Sequence, residues 1–378
     1  MKVVGVITEY NPFHDGHAYF LEQAKKVTGA DFAVSIMNGD FVQRGEPAIV
    51  DKYTRTRMAL EGGSDMVFEL PVRFGISSAR DFALGSILAL QSLGFVTDIC
   101  FGSECGELEP IQEAADYLYR EPADYAKRLQ ENLKEGLPYP AAVEKALQAT
   151  AHCASHLLHK PNNILSVQYC LALQELNSNI VPHTIKRYGQ GYHDDTDNGN
   201  KLFPSSTALR KKMREAGEKY LCLDDFSDMI GYALCREKEL HQYKDISPDL
   251  ADRLESLLDT YRSASDYANA CQAKNYTAGR IRRSMVQCLL GVKNSPLILP
   301  YLRFLGMKKE ASFLLRQCEN TSAFQIISRL AVDLPKVSSQ GQELFKQDLL
   351  ASDLYRQVWC RKYDTALPNE YQHSPIIL

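Results

Sequence analysis

The sequence lacks the features that would place it among membrane, secreted or repeat proteins. No stretch approaches the roughly 18 consecutive apolar residues that a membrane span needs. The opening segment MKVVGVITEY has too short an apolar run for a signal peptide and predicts a buried strand instead. Internal repeats and low-complexity tracts are also absent. We therefore expect a globular protein of the cytoplasm.

The ten cysteines form no Cys-x-x-Cys pair, and the closest two are Cys100 and Cys105. His152 and Cys153 lie near His156 and His159 in the sequence, which raises a zinc hypothesis. Reduced cysteines of a cytosolic chain more often act as small core residues. We favour that interpretation and assign no metal ligands.

Charge is distributed unevenly along the chain. Residues 1–200 contain 17 Lys and Arg against 26 Asp and Glu, whereas residues 201–378 contain 26 against 21. Within 271–316 there are nine basic residues and a single acid, Glu310. This asymmetry predicts a polyanionic partner for the second half of the chain.

Short apolar runs alternate with helical patterns through the first half. Strands are predicted at 3–7, 32–37, 66–71, 98–102 and 179–187, with helices at 17–27, 52–63, 79–94 and through most of 108–176. Continuous apolar strands separated by helices predict an α/β fold with a parallel sheet. From about residue 205 strand signals nearly vanish. We therefore predict two domains, 1–203 and an all-helical 204–378.

The strongest chemical signal is the segment from Asn11 to His17, between the first strand and its helix. Ligands of open α/β sheets bind at the carboxyl ends of strands, and a helix N-terminus favours phosphate. His14 and His17 can both face one anion and stabilise charge at a phosphate. The alternatives are a turn histidine with a capping histidine, or a zinc site, for which no third ligand is nearby.

The segment resembles the His-x-Gly-His motif of nucleotidyltransferases and class I aminoacyl-tRNA synthetases. That superfamily has a second signature, and SSTALR from Ser205 to Arg210 matches it. Hydroxyl and amide groups at a helix start can hold phosphate, and Arg210 adds positive charge. Alone, SSTALR would be an ordinary helix cap. The resemblance implies a Rossmann-like nucleotidyltransferase domain that binds ATP.

A narrower resemblance extends over nearly the whole chain. Six segments are similar to segments of the bacterial tRNA(Met) cytidine acetate ligase family. They are MNGDFVQRGEPAIVDKYTRTRMAL, FELP, FGSE, KPNNILSVQY, TIKRYGQGYHD and YTAGRIRRSM. Thr8 and Asn11 replace the glycine and aspartate usual in the wider superfamily, which this family tolerates. The resemblance implies that ATP and acetate form acetyl-adenylate, which acetylates N4 of the wobble cytidine of elongator tRNA(Met). Acetyl-CoA would not be needed.

The resemblance also implies the residues of the nucleotide site. His14 and His17 would be catalytic. The other ATP-binding positions are Ile7, Thr8, Glu9, Tyr10, Asn11, Pro12, Phe13, Asp15, Gly16, Ala18, Tyr19, Phe20, Gly102, Asn162, Arg187, Ser205, Ser206 and Thr207. Gly102 could instead simply end a strand, Asn162 could cap a helix and Arg187 could form a surface ion pair. Magnesium is compatible with this phosphate site, although the sequence offers no acidic cluster to bind it.

Two further groups of residues are candidates for the acceptor side. The polar loop 38–48 follows the second strand, so Asp40, Gln43 and Arg44 could position acetate or the target base, unless the loop only orders its own backbone. In the basic stretch we predict tRNA contacts by Lys274, Arg280, Arg282, Arg283, Lys308 and Lys309, with Lys293 and Arg303 nearby. Aromatic residues between them could stack on an extruded base. The alternative is a solvated amphipathic helix.

Two other functions remain open at this point. The chain could be a small-molecule adenylyltransferase, which would give the basic half no role. It could also be a degenerate relative that binds tRNA or the ribosome without turnover, although the presence of both histidines and SSTALR disfavours this.

Overall fold

A computed structural model describes residues 1–137, 139–150, 157–187, 206–318 and 323–378. The strands are β1 (Val3–Thr8), β2 (Phe32–Asn38), β3 (Phe41–Val42), β4 (Glu46–Pro47), β5 (Met66–Leu70), β6 (Asp98–Ser103), β7 (Val181–Lys186), β8 (Tyr301–Met307), β9 (Gln325–Ile327) and β10 (Ile376–Ile377). The predicted polar loop 189–200 lies outside the described residues.

Helices surround these strands. They are α1 (Asp15–Thr28), α2 (Lys52–Glu61), α3 (Val72–Gly75), α4 (Ala79–Ser92), α5 (Leu108–Arg120), α6 (Ala123–Lys134), α7 (Tyr139–Thr150), α8 (Pro161–Glu175), α9 (Ser206–Glu215), α10 (Ser227–Arg236), α11 (Pro248–Ser256), α12 (Ala264–Ala270), α13 (Ala278–Leu290), α14 (Ser312–Leu315), α15 (Leu330–Asp333) and α16 (Ser339–Tyr363). Across the described ranges, none combines the length and apolarity that crossing a membrane requires.

Five parallel strands form the centre of the main sheet, in the order β5-β2-β1-β6-β7. They are nearly continuous apolar segments because helices cover both faces. Each begins and ends within two residues of its predicted strand. The prediction of an α/β fold with a parallel sheet is confirmed. Their carboxyl ends share one edge, so the loops after β1, β2 and β6 lie close together.

Side-chain capping sets the start of several helices. Asp51 accepts hydrogen bonds from the amides of Tyr53 and Thr54 at the start of α2. Thr277 caps α13 in the same way. At its other end α13 stops at Gly291, whose φ of 69° is one that glycine adopts without strain.

The C-terminal part is helical over most of α9 to α13 and in α16, as predicted, but it also contributes strands. β8 pairs antiparallel with β5 and so extends the sheet beyond that strand. β9 and β10 each pair with β8. The expectation of an all-helical C-terminal part needs this correction. The strand was not predicted because Arg303 interrupts its apolar run. In the structure Arg303 is buried and donates to the carbonyl oxygens of Ile327 and Ser328. The division at 203 and 204 stays a prediction.

A buried charge network attaches the C-terminal part to the sheet. Lys52 Nζ lies 2.9 Å from both carboxylate oxygens of Glu69 and 3.1 Å from Glu370 Oε1. It also donates to Ser352 Oγ at 2.9 Å and lies 3.7 Å from Asp40 Oδ2. One ammonium group therefore joins β5, the loop after β2, α16 and the C-terminal tail.

Candidate active site

The loop after β1 is fixed at the carboxyl edge of the sheet. Tyr10 has a φ of 45°, the Asn11–Pro12 peptide bond is cis, and α1 begins at Asp15. Asn11 Oδ1 accepts a 2.7 Å hydrogen bond from the amide of Ile49. The loop therefore presents the side chains that follow it at a helix N-terminus, where anions bind favourably.

Arg55, which the sequence analysis did not single out, joins this loop to the loop after β2. Its buried guanidinium donates to the carbonyl oxygens of Glu9 at 2.8 Å and Asn38 at 2.9 Å, and also to that of Gly39. Its Nε donates to the carbonyl oxygen of Val50 at 3.1 Å. Because a guanidinium carries several N–H donors, one arginine can bind carbonyl groups from both loops.

His14 and His17 stack against each other at the start of α1. Their ring centroids are 3.7 Å apart, and the Tyr10 ring packs edge-on against His17 at 5.0 Å. Both Nδ1 atoms are buried and have no hydrogen-bond partner among the described residues. Burial and the charge of Arg187 lower the pKa of His14. Burial, His14 and Arg187 lower the pKa of His17 well below its ordinary value.

The pair is therefore uncharged near neutral pH and has ring nitrogens free for a ligand. A buried polar atom without a partner carries a free-energy cost that an incoming hydrogen-bonding group can remove. The neighbouring arginine favours an anion as that group.

The second signature packs directly on the first. Ser206 Oγ lies 3.1 Å from His14 Nε2. Arg210 donates to the carbonyl oxygen of Asn11 at 2.9 Å and to Thr207 Oγ1 at 3.1 Å. Ser205 lies outside the described residues. Two segments about 190 residues apart in sequence thus meet at one imidazole, which a chance helix cap would not require.

Gly102 and Arg187 lie together at the ends of β6 and β7. A Cβ atom at position 102 would come within 2.7 Å of Arg187 Cγ. The absence of a side chain at Gly102 therefore makes room for the arginine, and its contact with ATP stays a prediction. Burial lowers the pKa of Arg187, although Glu104 partly offsets this.

Asn162 lies at the start of α8 and binds Glu104, a residue that sequence reasoning missed. Glu104 Oε1 accepts from Asn162 Nδ2 at 2.7 Å, and Oε2 accepts from the amide of Asn163 at 2.8 Å. In return, Asn163 Oδ1 accepts from the amides of Glu104 and Cys105. This reciprocal capping fixes the α8 N-terminus beside Arg187.

The three acceptor-side candidates in the loop 38–48 have different surroundings. Asp40 is buried, accepting from Ser352 Oγ at 2.8 Å, because Lys52 draws its carboxylate into the interior network. Its predicted role in positioning acetate or a base has no geometric support. Gln43 Nε2 donates to the carbonyl oxygen of Ser77 at 3.1 Å. Arg44 is exposed, and its guanidinium has no hydrogen bond or ion pair within the described residues.

The remaining residues of the predicted ATP loop lie around this edge. Ile7 and Thr8 end β1, and Phe13 packs 4.9 Å from the Tyr10 ring. Gly16, Ala18, Tyr19 and Phe20 belong to the first turns of α1.

The structure does not bring the predicted tRNA contacts to one surface. Arg282 forms an ion pair with Glu46, and Arg283 Nε lies 3.5 Å from Asp245 Oδ2. The pair with Glu46 places α13 against the hairpin that carries Arg44. Lys274 is exposed ahead of the helix, and Arg280 donates to the carbonyl oxygen of Asp245.

Lys308 and Lys309 lie elsewhere. The amide of Lys308 donates to the carbonyl oxygen of Asp65, just before β5 starts, and its Nζ lies 3.7 Å from Asp65 Oδ1. The amide of Lys309 donates to the carbonyl oxygen of Leu378. Both lysines therefore occupy the amino-terminal edge of the sheet, opposite the histidines.

Comparison with known proteins identifies the family. The HIGH Nucleotidyl Transferase model matches residues 1–221 and 213–368. Curated tRNA(Met) cytidine acetate ligases from Acetivibrio thermocellus and Clostridium perfringens are 34% and 32% identical, over 96% and 100% of both chains respectively. Among solved structures, Thermotoga maritima TmcAL bound with alpha-thio ATP matches with a TM-score of 0.89 and 29% identity over the full length of both chains. The resemblance inferred from the motifs is confirmed, and the chain belongs to the tRNA(Met) cytidine acetate ligase family.

Proposed function

We propose that this chain is an ATP-dependent ligase that activates acetate and acetylates N4 of the wobble cytidine of elongator tRNA(Met), in the cytoplasm. The single observation that carries the proposal is the meeting of the two signatures at His14, beside imidazole nitrogens that have no partner of their own among the described residues. The names of the family relatives support the choice of acetate and tRNA(Met).

The first half-reaction needs a site for three phosphates. Hydrogen-bond donors and positive charge surround the N-terminus of α1. They come from His14, His17, Arg44, Arg187 and Arg210. An acetate oxygen attacks the α-phosphorus, the bond to the bridging oxygen breaks, and pyrophosphate leaves with the electron pair. Imidazole N–H groups aimed at the α-phosphate stabilise the charge that develops there. Holding acetate and ATP in line supplies much of the remaining rate.

Magnesium is an expected companion of ATP. Among the described residues, no three His, Cys, Asp or Glu side chains form a metal-binding group. An ion that enters with the nucleotide would therefore be held mainly by phosphate oxygens and water, which Mg²⁺ favours.

The second half-reaction needs the anticodon of the tRNA at the same edge of the sheet. Positive charge is available there from the exposed Arg44 and from the neighbouring region of α13. The basic residues of that region are Lys274, Arg280, Arg282 and Arg283. In this proposal residues 1–203 carry ATP and acetate, and most of 204–378 holds RNA. The wobble base must leave its stack to reach an adenylate in the cleft.

Incubation with ATP, labelled acetate and total tRNA, followed by nucleoside analysis, tests the function. We expect label in N4-acetylcytidine without acetyl-CoA. A small-molecule adenylyltransferase would instead show pyrophosphate exchange that depends on a phosphorylated precursor and not on acetate. A non-catalytic binding protein would show no exchange at all.

The placement of the basic residues predicts unequal effects on RNA binding. Lys274→Ala with Arg282→Ala should weaken tRNA binding about tenfold. It should also lower the slope of the salt dependence by about one for each phosphate group that the variant no longer binds. The matched control, Lys308→Ala with Lys309→Ala, removes the same charge from the opposite edge and should change neither quantity. Equal effects in both double variants would contradict this division. Acetate-dependent exchange should remain in all of them.

The lowered histidine pKa values predict a pH dependence of nucleotide binding. In the free protein the pKa values of His14 and His17 lie below the ordinary value, so the rings are neutral at pH 7. A bound triphosphate favours the protonated form and raises these pKa values. Binding should therefore take up protons, and ATP affinity should increase as the pH falls from about 8 to 6.

Calorimetry in two buffers of different ionisation enthalpy measures this proton uptake. The difference between the wild type and His14→Ala removes the titration of ATP itself. Proton release, or identical uptake in both proteins, would show that the imidazoles do not face the phosphates.

A further inference from the structure

Glu9 is a carboxylate in a site that is otherwise built from cationic groups and hydrogen-bond donors. It follows β1 directly and precedes Tyr10, so it lies at the carboxyl edge of the sheet between the loops after β1 and β2. Its backbone is held because its carbonyl oxygen accepts from Arg55 Nη1 at 2.8 Å. The residue belongs to the predicted ATP loop, but its charge is the wrong sign for a contact with phosphate.

The two carboxylate oxygens of Glu9 have different surroundings. Oε1 accepts a 3.0 Å hydrogen bond from the amide of Gln43, in the loop that also carries Arg44. Oε2 has no hydrogen-bond partner within the described part of the chain. The side chain is thus positioned through one oxygen and leaves the other for a ligand.

The charged and titratable groups that face Glu9 come from four elements. Arg44 lies in the loop after β2, Arg55 in α2, Arg210 in α9 and Tyr169 in α8. Burial raises the pKa of Glu9, while Arg44, the Gln43 amide, Arg210 and Arg55 lower it, and the net effect is an increase. A carboxylate whose pKa is raised toward neutrality is a better proton acceptor than an exposed one.

The acceptor amine needs such a group. The exocyclic amine of cytosine is a weak nucleophile because its lone pair is delocalised into the ring. When the nitrogen bonds to a carbonyl carbon it becomes positively charged, and it must lose a proton before it can remain as an amide.

Resting on the proposed function, we propose that Glu9 accepts the proton from the cytidine amine as that amine attacks acetyl-adenylate. The nitrogen lone pair forms the new bond to the acetyl carbon, and one N–H proton passes to Glu9 Oε2. The bond from the acetyl carbon to the phosphate oxygen then breaks, and AMP leaves with the electron pair. The products are the acetylated base, AMP and a protonated Glu9, which returns its proton to solvent. The first half-reaction transfers no proton and therefore needs no base from Glu9.

The Glu9→Gln variant tests this assignment. Its amide oxygen can still accept from the Gln43 amide, so the loop contact is kept while the base is removed. We expect acetate-dependent pyrophosphate exchange to fall much less than acetyl transfer, because the first half-reaction needs no base. Single-turnover transfer of acetate to tRNA should fall by about 10²-fold or more, in the range that general bases contribute. Hydroxylamine, which needs no enzymic base, should still trap the adenylate that the variant forms as acetohydroxamate.

The pH profile separates a base from a structural contact. Wild-type transfer should rise with pH until Glu9 is ionised and then level off, and this rise should be absent from the Glu9→Gln variant. Glu61→Gln, on the exposed end of α2, is the matched control and should behave as wild type.

Two outcomes would overturn the inference while leaving the proposed function intact. One is transfer by Glu9→Gln at the wild-type rate. The other is a parallel loss of exchange and transfer, which would assign Glu9 to the nucleotide or its ion. If the variant does not fold, a wild-type transfer rate that is independent of pH between about 4.5 and 8 overturns it. Absence of transfer by the wild type would instead reject the proposed function.

Discussion

Replacing His17 by alanine should reduce acetate-dependent pyrophosphate exchange by about 10²- to 10³-fold, the effect of removing one preorganised donor from a developing negative charge. His17 is the more buried of the two imidazoles, and its Nδ1 has no partner among the described residues. Its hydrogen-bonding capacity is therefore not used in holding the fold. The loss should be in the rate of exchange more than in the affinity for ATP, because the charge on the α-phosphate increases in the transition state.

Three measurements make this prediction specific. The melting temperature separates loss of chemistry from loss of fold, since His17 packs against Tyr10 and His14. His17→Asn, which keeps a side-chain N–H donor, should recover part of the exchange. His241→Ala removes an exposed imidazole from the C-terminal half and serves as the control. Exchange by His17→Ala above one tenth of the wild-type rate would remove His17 from the catalytic account.

The central strands and the histidine pair could be predicted from the sequence because their signals are local. β1, β2 and β5 are apolar runs that need no information from elsewhere to be recognised as buried strands. The position of His14 after β1 and before α1 follows from order along the chain. Parallel strands then bring consecutive loops to a shared edge, so topology alone predicts where those residues lie.

The errors concern residues whose partners are distant in sequence. β8 was missed because Arg303 interrupts its apolar run, and the carbonyl groups that satisfy this arginine come more than 20 residues later. Asp40 belongs to a polar loop that follows a strand, as residues of a cleft often do. Its carboxylate nevertheless faces the interior, because Lys52 and Ser352 bind it there. Glu104 and Arg55 act on backbone groups of other loops, and no local pattern reveals such contacts.

Lys308 and Lys309 illustrate the limit of reasoning from charge density. They belong to the same basic stretch as α13, but β8 carries the chain along the sheet to its opposite edge before they appear. A stretch of basic residues predicts one binding surface only if its residues share one face, and an intervening strand prevents that. The charge pattern therefore predicted one RNA-binding surface for α13 and the lysines together, whereas the structure places them at opposite ends of the sheet. A tRNA contact by either group stays a prediction.

The buried ammonium of Lys52 leads to the largest predicted effect on stability. Burial alone would lower its pKa, but Glu370, Glu69 and Asp40 hold the pKa well above its ordinary value. Lys52→Met should therefore lower the free energy of unfolding by about 3 to 5 kcal/mol, the cost of leaving buried charges without their partner. The melting temperature should fall by about 5 to 10 °C.

The physical cause can be tested by removing the stranded carboxylates as well. In the Lys52→Met background, Glu69→Gln and Glu370→Gln should each restore part of the lost stability, because each removes a buried negative charge that no longer has a cation. Lys26→Met, on the exposed side of α1, is the matched control and should change the free energy of unfolding by less than about 0.5 kcal/mol.

The same variant indicates what the network does for the enzyme. Since Lys52 joins β5 to Ser352 of α16 and to Glu370 of the tail, its removal should loosen the C-terminal part before the parallel sheet. Hydrogen exchange should then increase in α16 and in the tail around Glu370, while β1 and β2 stay protected. Uniform loss of protection, or a change in stability below about 1 kcal/mol, would show that apolar packing and not this ion network attaches the C-terminal part to the sheet.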